Sequence, residues 1–538
     1  MREKDNSLVV KETGVAIARI WQNYMSYDFM EGIKLSSEQI KVVDLSNEQL
    51  MINGSAGSGK SITLLFKLIK TMIKEEDGKK ILYLSYNQAL IDDAIKRANK
   101  SQIYSKHKKR HNVDFYTFHK MVYEVFHKMG KPIQKVNMKY NRMEEVTDDA
   151  IRRIQSIMLP YTNTSDTKCQ YSNPKERLYK THTAKFIRDE IFWIKANGFI
   201  TEESYMDAAR VGRGTIPRLE KSQRKIIFDI YEQYQYDMKN KYGKSMDLED
   251  YALELIKIAN SIPDKLKYDY IYIDEVQDLQ PMQIKALTMM CKKQIVISGD
   301  NKQRIYKTSN HTYEALGLGK LRRRNLLDNF RSTKQIMKLA NSISFQDIDN
   351  DKESDVHCVR EGLPPKISRF IESNQYLEYL SSRIKNIQLE DPYATIAVII
   401  RNDDIIHTGN QSAIQKYLKM KFSVIDINDY GRKYSYEKKE KQLIITDPYS
   451  VKGLEFDYVF IQEFDKNHYP LKSKLNAIDT FIEDKNKESG NYKKDLDDII
   501  NNEKRILYVA MTRAKKHLEM MYCAKSENML CEFIKINK

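Results

Sequence analysis

Two short stretches of the sequence combine residue types that bind phosphate and a divalent cation. The first, GSAGSGKS at residues 54–61, fits the spacing G-x-x-x-x-G-K-[ST]. The second, YIYIDEVQDLQ at residues 270–280, is a run of β-branched and aromatic residues that ends in Asp274 and Glu275. Two adjacent acids at the tip of a buried strand are costly unless a cation meets them, and a nucleotide-bound magnesium ion would do so. Together the two stretches predict hydrolysis of a nucleoside triphosphate.

Four polar residues of these stretches have an expected role in that reaction. Lys60 should reach the β- and γ-phosphates, and the Ser61 hydroxyl should ligate magnesium. Asp274 should act on the magnesium ion through water, while Glu275 orients and deprotonates the attacking water. The backbone cradle for the phosphates is expected to comprise Gly54, Ser55, Ala56, Gly57, Ser58 and Gly59.

The elements around the glycine-rich loop fit this chemistry. An apolar run precedes the loop, and apolar residues follow it at helical spacing, at Leu64, Leu65, Leu68, Ile69, Met72 and Ile73. The order strand, loop, helix points backbone N–H groups and the positive end of the helix at the phosphates. The alternative, a glycine-rich turn of chance composition, does not explain the acid-tipped strand further along the chain.

Length and charge narrow the class of protein. The 538 residues exceed one ordinary domain and predict two to four. Lys and Arg number 90 against 74 acids, which gives a formal net charge of +16. That balance favours polyanionic partners, with nucleic acid first among them, although basic surfaces also occur on proteins that bind no nucleic acid.

Membrane and cysteine patterns exclude other classes. No stretch approaches the roughly 20 apolar residues of a membrane span, and the N-terminus lacks the apolar core of a signal peptide. The five cysteines form an odd set without a CxxC pair, which argues against a disulfide framework and a zinc site. The sequence therefore predicts a soluble cytoplasmic protein with no membrane partner.

Further motifs, in order from residue 35 to about residue 518, resemble those of the superfamily 1 DNA helicases, in particular the UvrD, PcrA and Rep branch. The segments that carry the resemblance are LSSEQIKVV, GSAGSGKS, YLSYNQALIDDAIKR, YTFH, DEVQD, SGDNKQRIY, LLDNFRST, VKGLEFDYVFI and RILYVAMTRAKKHL. Each string is short, but their shared order is specific. The resemblance implies an ATP- and magnesium-dependent enzyme that acts on DNA.

The resemblance adds contacts with the nucleotide. It implies that Gln39 reads the adenine and that Phe330 stacks on it. It implies that Glu455 lies near the ribose and that Gln303 contacts the γ-phosphate and couples it to DNA. These residues are expected to join the phosphate loop in one ATP site.

Two arginines are expected to complete this site. The resemblance implies that Arg331 and Arg513 act as arginine fingers on the transferring phosphoryl group. The planar, permanently charged guanidinium suits this role. The alternative for either arginine is a surface ion pair.

The resemblance also implies DNA contacts from both domains. In the first domain these are Asn87 and the segment YTFH, with Thr117 and His119. In the second domain they are Lys452 and Gly453, on the DNA side of VKGLEFDYVFI.

The implied fold is α/β, with two RecA-like P-loop NTPase domains that contain parallel sheets, and a helical domain inserted in the first. The expected bounds are 1–118 with 263–324 for the first domain, 119–262 for the insertion and 325–538 for the second domain. Helical patterns that end at Gly198 and Gly243 predict the insertion. A third pattern starts at Asp247.

A basic run predicts where DNA phosphates bind. Residues 96–142 contain 13 Lys or Arg against 2 acids, and this run includes the YTFH segment. A groove that tracks phosphates would have this composition, and its DNA affinity would fall steeply with salt. The alternative is a solvated basic loop around SKHKKRH.

Two departures from the family pattern bear on motor activity. Arg331 and Thr446 are 115 positions apart, which leaves little room for the extra domain that larger relatives carry there. RIYKTSNHTYEAL follows the Gln303 segment where relatives have an aromatic residue and Arg-Gly-Ala, so the base-stacking aromatic is missing.

Three functions therefore stay open. The first is an ATP-dependent helicase that moves 3′ to 5′ on single-stranded or tailed DNA. The second is an ATP-gated DNA-binding switch, or regulatory subunit, that serves a protein partner such as a nuclease in repair or phage defence. The third is an RNA-directed motor.

Overall fold

A computed structural model gives the fold. It describes residues 29–45, 49–86, 88–131, 133, 140–162, 182–208, 219, 221–243, 246–300, 312–345, 357–401, 412–425, 440–451, 453–479 and 490–534. Three predicted site residues, Asn87, Gln303 and Lys452, lie outside these ranges, as do residues 304–311 of the segment RIYKTSNHTYEAL, where the base-stacking aromatic of relatives is missing.

The first domain is built on a six-stranded sheet. Its strands are β1 Leu50–Gly54, β2 Lys80–Ser85, β3 Asn112–Thr117, β4 Tyr268–Ile273, β5 Cys291–Gly299 and β6 Arg322–Leu326. The order across the sheet is β3-β2-β4-β5-β1-β6, and every neighbouring pair is parallel. Sixteen α-helices accompany the strands of the described chain, and they are named below by region.

The sequence of β4 explains its position at the centre of the sheet. Ile271 and Ile273 point into one core cluster, while Tyr270 and Tyr272 point into the cluster on the opposite face. Such strands, apolar on both faces, are typical of parallel sheets covered by helices on both sides. The acid pair that follows β4 is thereby held at the carboxyl edge of a buried sheet.

Helices cover both faces of this sheet. They are α1 Ser37–Asp44, α2 Lys60–Lys74, α3 Gln88–Lys100, α4 Gln102–His107, α5 Phe118–Lys128, α10 Asp250–Ile258 and α11 Pro281–Met290. Side chains of α5 and α10 pack in the same core cluster as Ile271 and Ile273 of the sheet. These two helices therefore belong to the first domain.

The inserted helices form a separate core. They are α6 Tyr140–Thr162, α7 Ala184–Asn197, α8 Glu202–Asp207 and α9 Lys221–Asn240. Their buried side chains make one cluster, in which Trp193 and Tyr234 take part. As predicted, α7 ends at Gly198, whose φ is +77°. The expected bounds of 119–262 are too wide, because α5 and α10 pack on the sheet; we place the insertion at 140–243.

The second domain contains a five-stranded sheet and a two-stranded sheet. The strands are β7 Asp328–Thr333, β8 His357–Arg360, β9 Lys366–Phe370, β10 Thr395–Ile399, β11 Gln442–Thr446, β12 Phe456–Ile461 and β13 Ala514–Cys523. The larger sheet has the order β11-β10-β12-β13-β9, and β7 pairs with β8; all these pairs are parallel. The helices are α12 Lys334–Asn341, α13 Ser373–Glu390, α14 Ala413–Lys421, α15 Lys472–Asp479 and α16 Gly490–Met511.

The boundary between the domains differs slightly from the predicted one. Residue 325 is expected to begin the second domain, but β6 continues to Leu326 and pairs with β1 of the first sheet. The chain passes into the second domain between β6 and β7. Within the part of the chain that the structure describes, no helix is long and apolar enough to cross a membrane.

A buried ion cluster joins the insertion to the first domain. Lys195 of α7 is fully buried, and its Nζ lies 2.6 Å from an Asp247 oxygen and 2.9 Å from an Asp250 oxygen. Tyr234 of α9 donates its hydroxyl to Asp247 at 3.0 Å. Burial opposes the charge on Lys195, but the two carboxylates outweigh it and raise the pKa of the ammonium. Helix α10, which leads into β4, is thus tied to the insertion.

Replacing Lys195 by Met should strongly destabilise the protein, because two buried carboxylates would lose their cation. We expect a loss of roughly 3–5 kcal/mol in the free energy of unfolding, measured by urea denaturation at pH 7. The matched control is Lys225→Met, which breaks the exposed pair between Lys225 and Glu202 and should cost less than about 1 kcal/mol. Equal losses of unfolding free energy in the two variants would contradict the conclusion that the Lys195 cluster stabilises the junction between the insertion and the first domain.

Candidate active site

The phosphate loop connects β1 to α2 as the sequence predicted. Gly54 is the last residue of β1, and Gly59 caps the N-terminus of α2. Gly57 and Gly59 have φ angles of +86° and +78°, a region that L side chains rarely adopt. The loop therefore turns tightly and presents backbone N–H groups at the positive end of a helix, which is a binding site for anions.

Lys60 lies against this loop. It is 5% exposed, and its Nζ donates to the carbonyls of Gly54 at 2.9 Å and Ser55 at 3.1 Å. Ser58 is also buried, and Ser61 hydrogen-bonds to the Asp274 carboxylate. The ammonium, the hydroxyl and the acid that the sequence assigned to phosphate and magnesium are therefore brought together.

Asp274 is held by donors on the carboxyl edge of the sheet. Its Oδ1 accepts from the Ser298 hydroxyl at 2.7 Å, and its Oδ2 accepts from the Tyr83 hydroxyl at 3.1 Å. Burial and the neighbouring Glu275 raise the pKa of this carboxyl, against the effect of Ser61, Ser298 and the Lys60 ammonium. A divalent cation at this position would offset the cost of the buried charge.

The residues present fit a magnesium ion bound to a nucleotide. One buried carboxylate and one hydroxyl leave most positions of a six-coordinate ion to water and phosphate oxygens, which is the usual arrangement for Mg²⁺. Among the described residues there is no cluster of three or more His, Cys, Asp or Glu that could hold a metal by itself. The fit is therefore to a metal that arrives with its substrate.

Glu275 is aimed by its backbone and by a glutamine. Its φ is +52°, a left-handed conformation that is uncommon for a residue with a side chain. Its carboxylate accepts a hydrogen bond from the Gln277 amide, whose Oε1 in turn accepts from the backbone N–H of Asp300 at 3.2 Å. The amide of Gln277 thus links the candidate base to the start of the predicted γ-phosphate sensor, whose Gln303 lies outside the described residues.

Gln39 contacts the phosphate loop itself. It is 4% exposed, it accepts from the Ser36 N–H at 2.9 Å in a capping box of α1, and its Nε2 donates to the Ser58 carbonyl at 3.2 Å. The structure thus places Gln39 directly beside the loop. Its predicted contact with adenine stays a prediction.

The two predicted arginine fingers come from the second domain. Arg331 lies in β7 and forms an ion pair with Glu455, just before β12. Arg513, just before β13, is buried and donates to the carbonyls of Val509 at 3.1 Å and Leu454 at 3.3 Å.

The charged residues of the two domains act on one another across the cleft between the domains. Burial and the nearby Arg331 lower the pKa of Arg513 to about 10, while Glu275 and Glu455 act in the opposite direction. Burial alone would raise the pKa of Glu455, but Arg331 and other cations hold it below its usual range. Glu275 of the first domain and both arginines of the second therefore share one site.

Phe330 and Glu455 have positions that suit their predicted roles. The Phe330 ring, in β7, is 37% exposed, which leaves a surface on which a base can stack. Glu455 contacts Arg331 and borders the cleft. Both roles remain predictions.

The predicted DNA contacts have mixed surroundings. Thr117 ends β3 at the carboxyl edge, and Gly453 is exposed; a Cβ built at Gly453 would lie 3.9 Å from a methyl carbon of Leu90 in α3. His119 is half-buried, and its Nε2 lies 3.2 Å from the Leu248 carbonyl. Burial lowers the pKa of this imidazole to about 4, so the neutral ring donates to that carbonyl. The structure gives His119 a packing role, and a contact with DNA stays a prediction.

The basic loop at residues 106–110 does not lie beside the YTFH segment. The Arg110 carbonyl accepts from the Gly78 N–H at 2.8 Å, which places the loop near the start of β2 and before β3. At about 3.3 Å per residue, the six residues of β3 put Thr117 roughly 17 Å away, at the opposite edge. The expectation that this part of the basic run adjoins the DNA-contacting segment is wrong for that reason.

Sequence reasoning missed three residues that organise the site. They are Tyr83, Gln277 and Asn329. Gln277 and Asn329 lie inside the quoted motifs DEVQD and LLDNFRST, so their position was visible but their partners were not. Tyr83 in β2 reads as an ordinary strand residue, and only the pairing of β2 with β4 brings its hydroxyl to Asp274.

Fold and site together define the class of protein. A phosphate loop after β1, an acid pair after the neighbouring buried strand β4, and two arginines from a second α/β domain are the parts of a P-loop NTPase with a two-domain cleft.

Comparison with known proteins identifies the family. Residues 35–314 match the UvrD/REP helicase N-terminal domain, and residues 325–446 and 431–525 match the UvrD-like helicase C-terminal domain. These matches span most of the sequence, so the chain belongs to the UvrD/PcrA/Rep-like superfamily 1 helicases.

Curated relatives are similar over part of their length. The mitochondrial ATP-dependent DNA helicase HMI1 of Saccharomyces cerevisiae is 25% identical over 414 residues, which cover 71% of this chain and 52% of the yeast protein. A probable DNA helicase II homolog of Mycoplasma capricolum is 24% identical, with coverage of 66% and 46%. The helicase PcrA of Bacillus subtilis is 24% identical, with coverage of 40% and 30%. The chain thus spans about half the length of these relatives or less.

Substituting Gly57 by Ala should impair ATP hydrolysis. A Cβ at Gly57 would lie less than 3.0 Å from the Arg331 Cβ, so the strand that carries the arginine would have to move. We expect turnover to fall by about 100-fold, since a displacement of about 1 Å at a reacting centre has effects of this size. Turnover is measured by steady-state phosphate release.

The matched control is Gly78→Ala. Gly78 has nearly the same φ, +85°, but nothing lies within 4 Å of the position that its Cβ would take. This variant should lose about 1 kcal/mol of stability and keep its turnover. Normal turnover in Gly57→Ala would show that the close approach of β7 to the loop is not needed for hydrolysis.

Proposed function

We propose that this protein is a DNA-dependent ATPase that hydrolyses ATP between its two α/β domains and uses the cycle to move 3′ to 5′ along single-stranded DNA and to unwind duplex. The observation that carries the proposal is the convergence of Lys60, Asp274 and Glu275 from one domain with Arg331 and Arg513 from the other. The direction of movement rests on the family resemblance alone.

The chain supplies the groups that this reaction requires. Glu275 takes a proton from water as the water oxygen attacks the γ-phosphorus, and the bond from that phosphorus to the bridging oxygen breaks, so that ADP and phosphate leave. Lys60, Arg331 and Arg513 stabilise the charge on the transferring group. Magnesium, held by Ser61 and Asp274, would neutralise charge on the β- and γ-phosphate oxygens.

The facing edges of the two domains support a coupling between ATP hydrolysis and DNA. Gly453 of the second domain lies near Leu90 of α3, since a Cβ built at the glycine would be 3.9 Å from a Leu90 methyl carbon. The same helix carries Arg97, whose charge acts on Glu455. Residues predicted to touch the DNA backbone therefore border residues of the ATP cleft. Opening and closing of that cleft would shift the two DNA-side segments relative to each other.

A second candidate function is an ATP-gated DNA-binding switch that serves a protein partner. The spacing of 115 positions between Arg331 and Thr446 favours it, because this spacing leaves little room for the extra domain of larger relatives. Such a protein would hydrolyse ATP without processive unwinding. A nuclease is the partner that we propose for it, and DNA repair or phage defence is the process.

Single substitutions test the assigned roles. Lys60→Ala and Glu275→Gln should each abolish hydrolysis, and Glu275→Gln should still bind ATP because the carboxylate acts on water. Arg513→Ala should lower turnover by about 1,000-fold or more with little change in nucleotide affinity. Turnover is measured by phosphate release and affinity by a fluorescent nucleotide, with the exposed Glu76→Gln as control. Wild-type turnover in Glu275→Gln would refute its role as base.

The motor and the switch are separated by two measurements on the wild-type protein. The ATPase rate is compared with and without single-stranded DNA, and unwinding is followed on 3′-tailed and 5′-tailed duplexes. Stimulation with unwinding of the 3′-tailed duplex alone is the expected result. Stimulation without unwinding would favour the switch, and stimulation by RNA only would favour an RNA-directed motor.

The position of the basic loop gives a further expectation. Reversing two charges far from the cleft, Lys108→Glu with Lys109→Glu, should change DNA affinity by less than about threefold at 150 mM salt, because the Debye length is then about 8 Å. DNA affinity is measured by fluorescence anisotropy with labelled single-stranded DNA. A loss of more than tenfold would mean that DNA also follows the amino edge of the first sheet.

A further inference from the structure

Asn329 occupies the point where the second domain meets the phosphate loop. It lies in β7, two residues before Arg331, and is fully buried. The resemblance assigned the neighbouring Phe330 and Arg331 to the nucleotide and gave no role to Asn329.

The two ends of the Asn329 amide serve different domains. Its Nδ2 donates to the Ala56 carbonyl of the phosphate loop at 2.5 Å, with the Ser55 hydroxyl at 3.5 Å. Its Oδ1 accepts from the backbone N–H groups of Arg331 at 2.9 Å and Ser332 at 3.1 Å. Two donors face the oxygen and a carbonyl faces the nitrogen, so only one orientation of the amide satisfies all partners.

The contacts continue to the second arginine. Ser332 donates its hydroxyl to the Ala514 carbonyl at 2.7 Å, and Ala514 follows Arg513 directly in the chain. A single run of hydrogen bonds therefore leads from the phosphate loop through Asn329 to the backbone at both arginines.

Neighbouring contacts restrict the movement of β7 relative to the phosphate loop. The Phe330 N–H donates to the Gly57 carbonyl at 2.9 Å, parallel to the Asn329 contact. The Arg331 Cβ would be less than 3.0 Å from a Cβ at Gly57. A displacement of the loop by phosphates must therefore be passed on to β7 or must break these bonds.

We propose that Asn329 is a positioning residue that couples the conformation of the phosphate loop to the placement of Arg331 and Arg513. This role rests on the proposed ATP hydrolysis. It adds a route by which a conformational change in the first domain is transmitted to the second. Asn329 does not touch the reacting atoms, so its loss should reduce turnover more than nucleotide affinity.

Two variants remove the donor to the loop and differ in the charge of the acceptor that remains. Asn329→Asp keeps the oxygen that accepts from Arg331 and Ser332 but loses the donor to Ala56. Asn329→Ser keeps a smaller, neutral acceptor and cannot bridge to the loop. Each variant should lower kcat at least tenfold while the affinity for a fluorescent ADP stays within about threefold of the wild-type value.

A control variant removes the same kind of bond elsewhere. Asn240 donates its Nδ2 to the Tyr236 carbonyl at 3.0 Å on an exposed part of α9. Asn240→Asp should leave kcat and nucleotide affinity unchanged. Melting temperatures of all variants, with and without Mg-ADP, identify any variant that fails to fold.

A measurement without hydrolysis keeps the test independent of the proposed function. Hydrogen exchange is followed at residues 54–61 and 328–333 after addition of magnesium and a non-hydrolysable ATP analogue. In the wild type both segments should gain protection, and in Asn329→Asp and Asn329→Ser only the loop should. Protection of both segments in a folded variant, or wild-type kcat in either variant, would overturn the inference. A wild type that protects both segments but hydrolyses no ATP would instead refute the proposed function.

Discussion

The approach of β7 to the phosphate loop is the contact on which the rest of the site depends. The N–H of Phe330 and the amide of Asn329 bind successive carbonyls of the loop, those of Gly57 and Ala56. Backbone can come this close only because Gly57 has no side chain. The contact brings β7, which carries the permanently charged Arg331, to a loop that binds anions, and it sets the distance at which arginines of one domain can act on phosphates held by the other.

The acid pair after β4 imposes the complementary constraint. Asp274 and Glu275 are adjacent in the chain and lie at the edge of a buried sheet, where each raises the cost of the other's charge. The protein offsets this cost with hydroxyl donors, with Lys60 and with the opposing arginine Arg513. The two carboxylates would destabilise the first domain by itself. They therefore favour a cleft in which cations lie close to them and to a bound nucleotide.

The parallel topology explains why the carboxyl edge of the first sheet faces the amino edge of the second. In the first domain the functional residues follow the carboxyl ends of strands, as in other open α/β sheets. In the second domain Glu455 and Arg513 precede the amino ends of β12 and β13. The cleft therefore lies where the strands of one sheet end and those of the other begin, and the Lys195 cluster holds the insertion to the first of these domains.

The sequence alone predicted the reaction class and the nature of the fold, because the phosphate loop and the acid-tipped strand are local patterns whose spacing has one common physical use. It also located Gly198 as a helix end, where only the left-handed conformation of glycine is needed. The tertiary structure decided what depends on distant pairing. Asn329 and Ala56 are 273 positions apart, Tyr83 reaches Asp274 only through the register of β2 on β4, and the basic loop lies at the far end of β3 because strand direction separates it from Thr117. Local composition records charge and periodicity, but the direction in which a strand runs and the partner that a buried amide finds are set by packing of the whole chain.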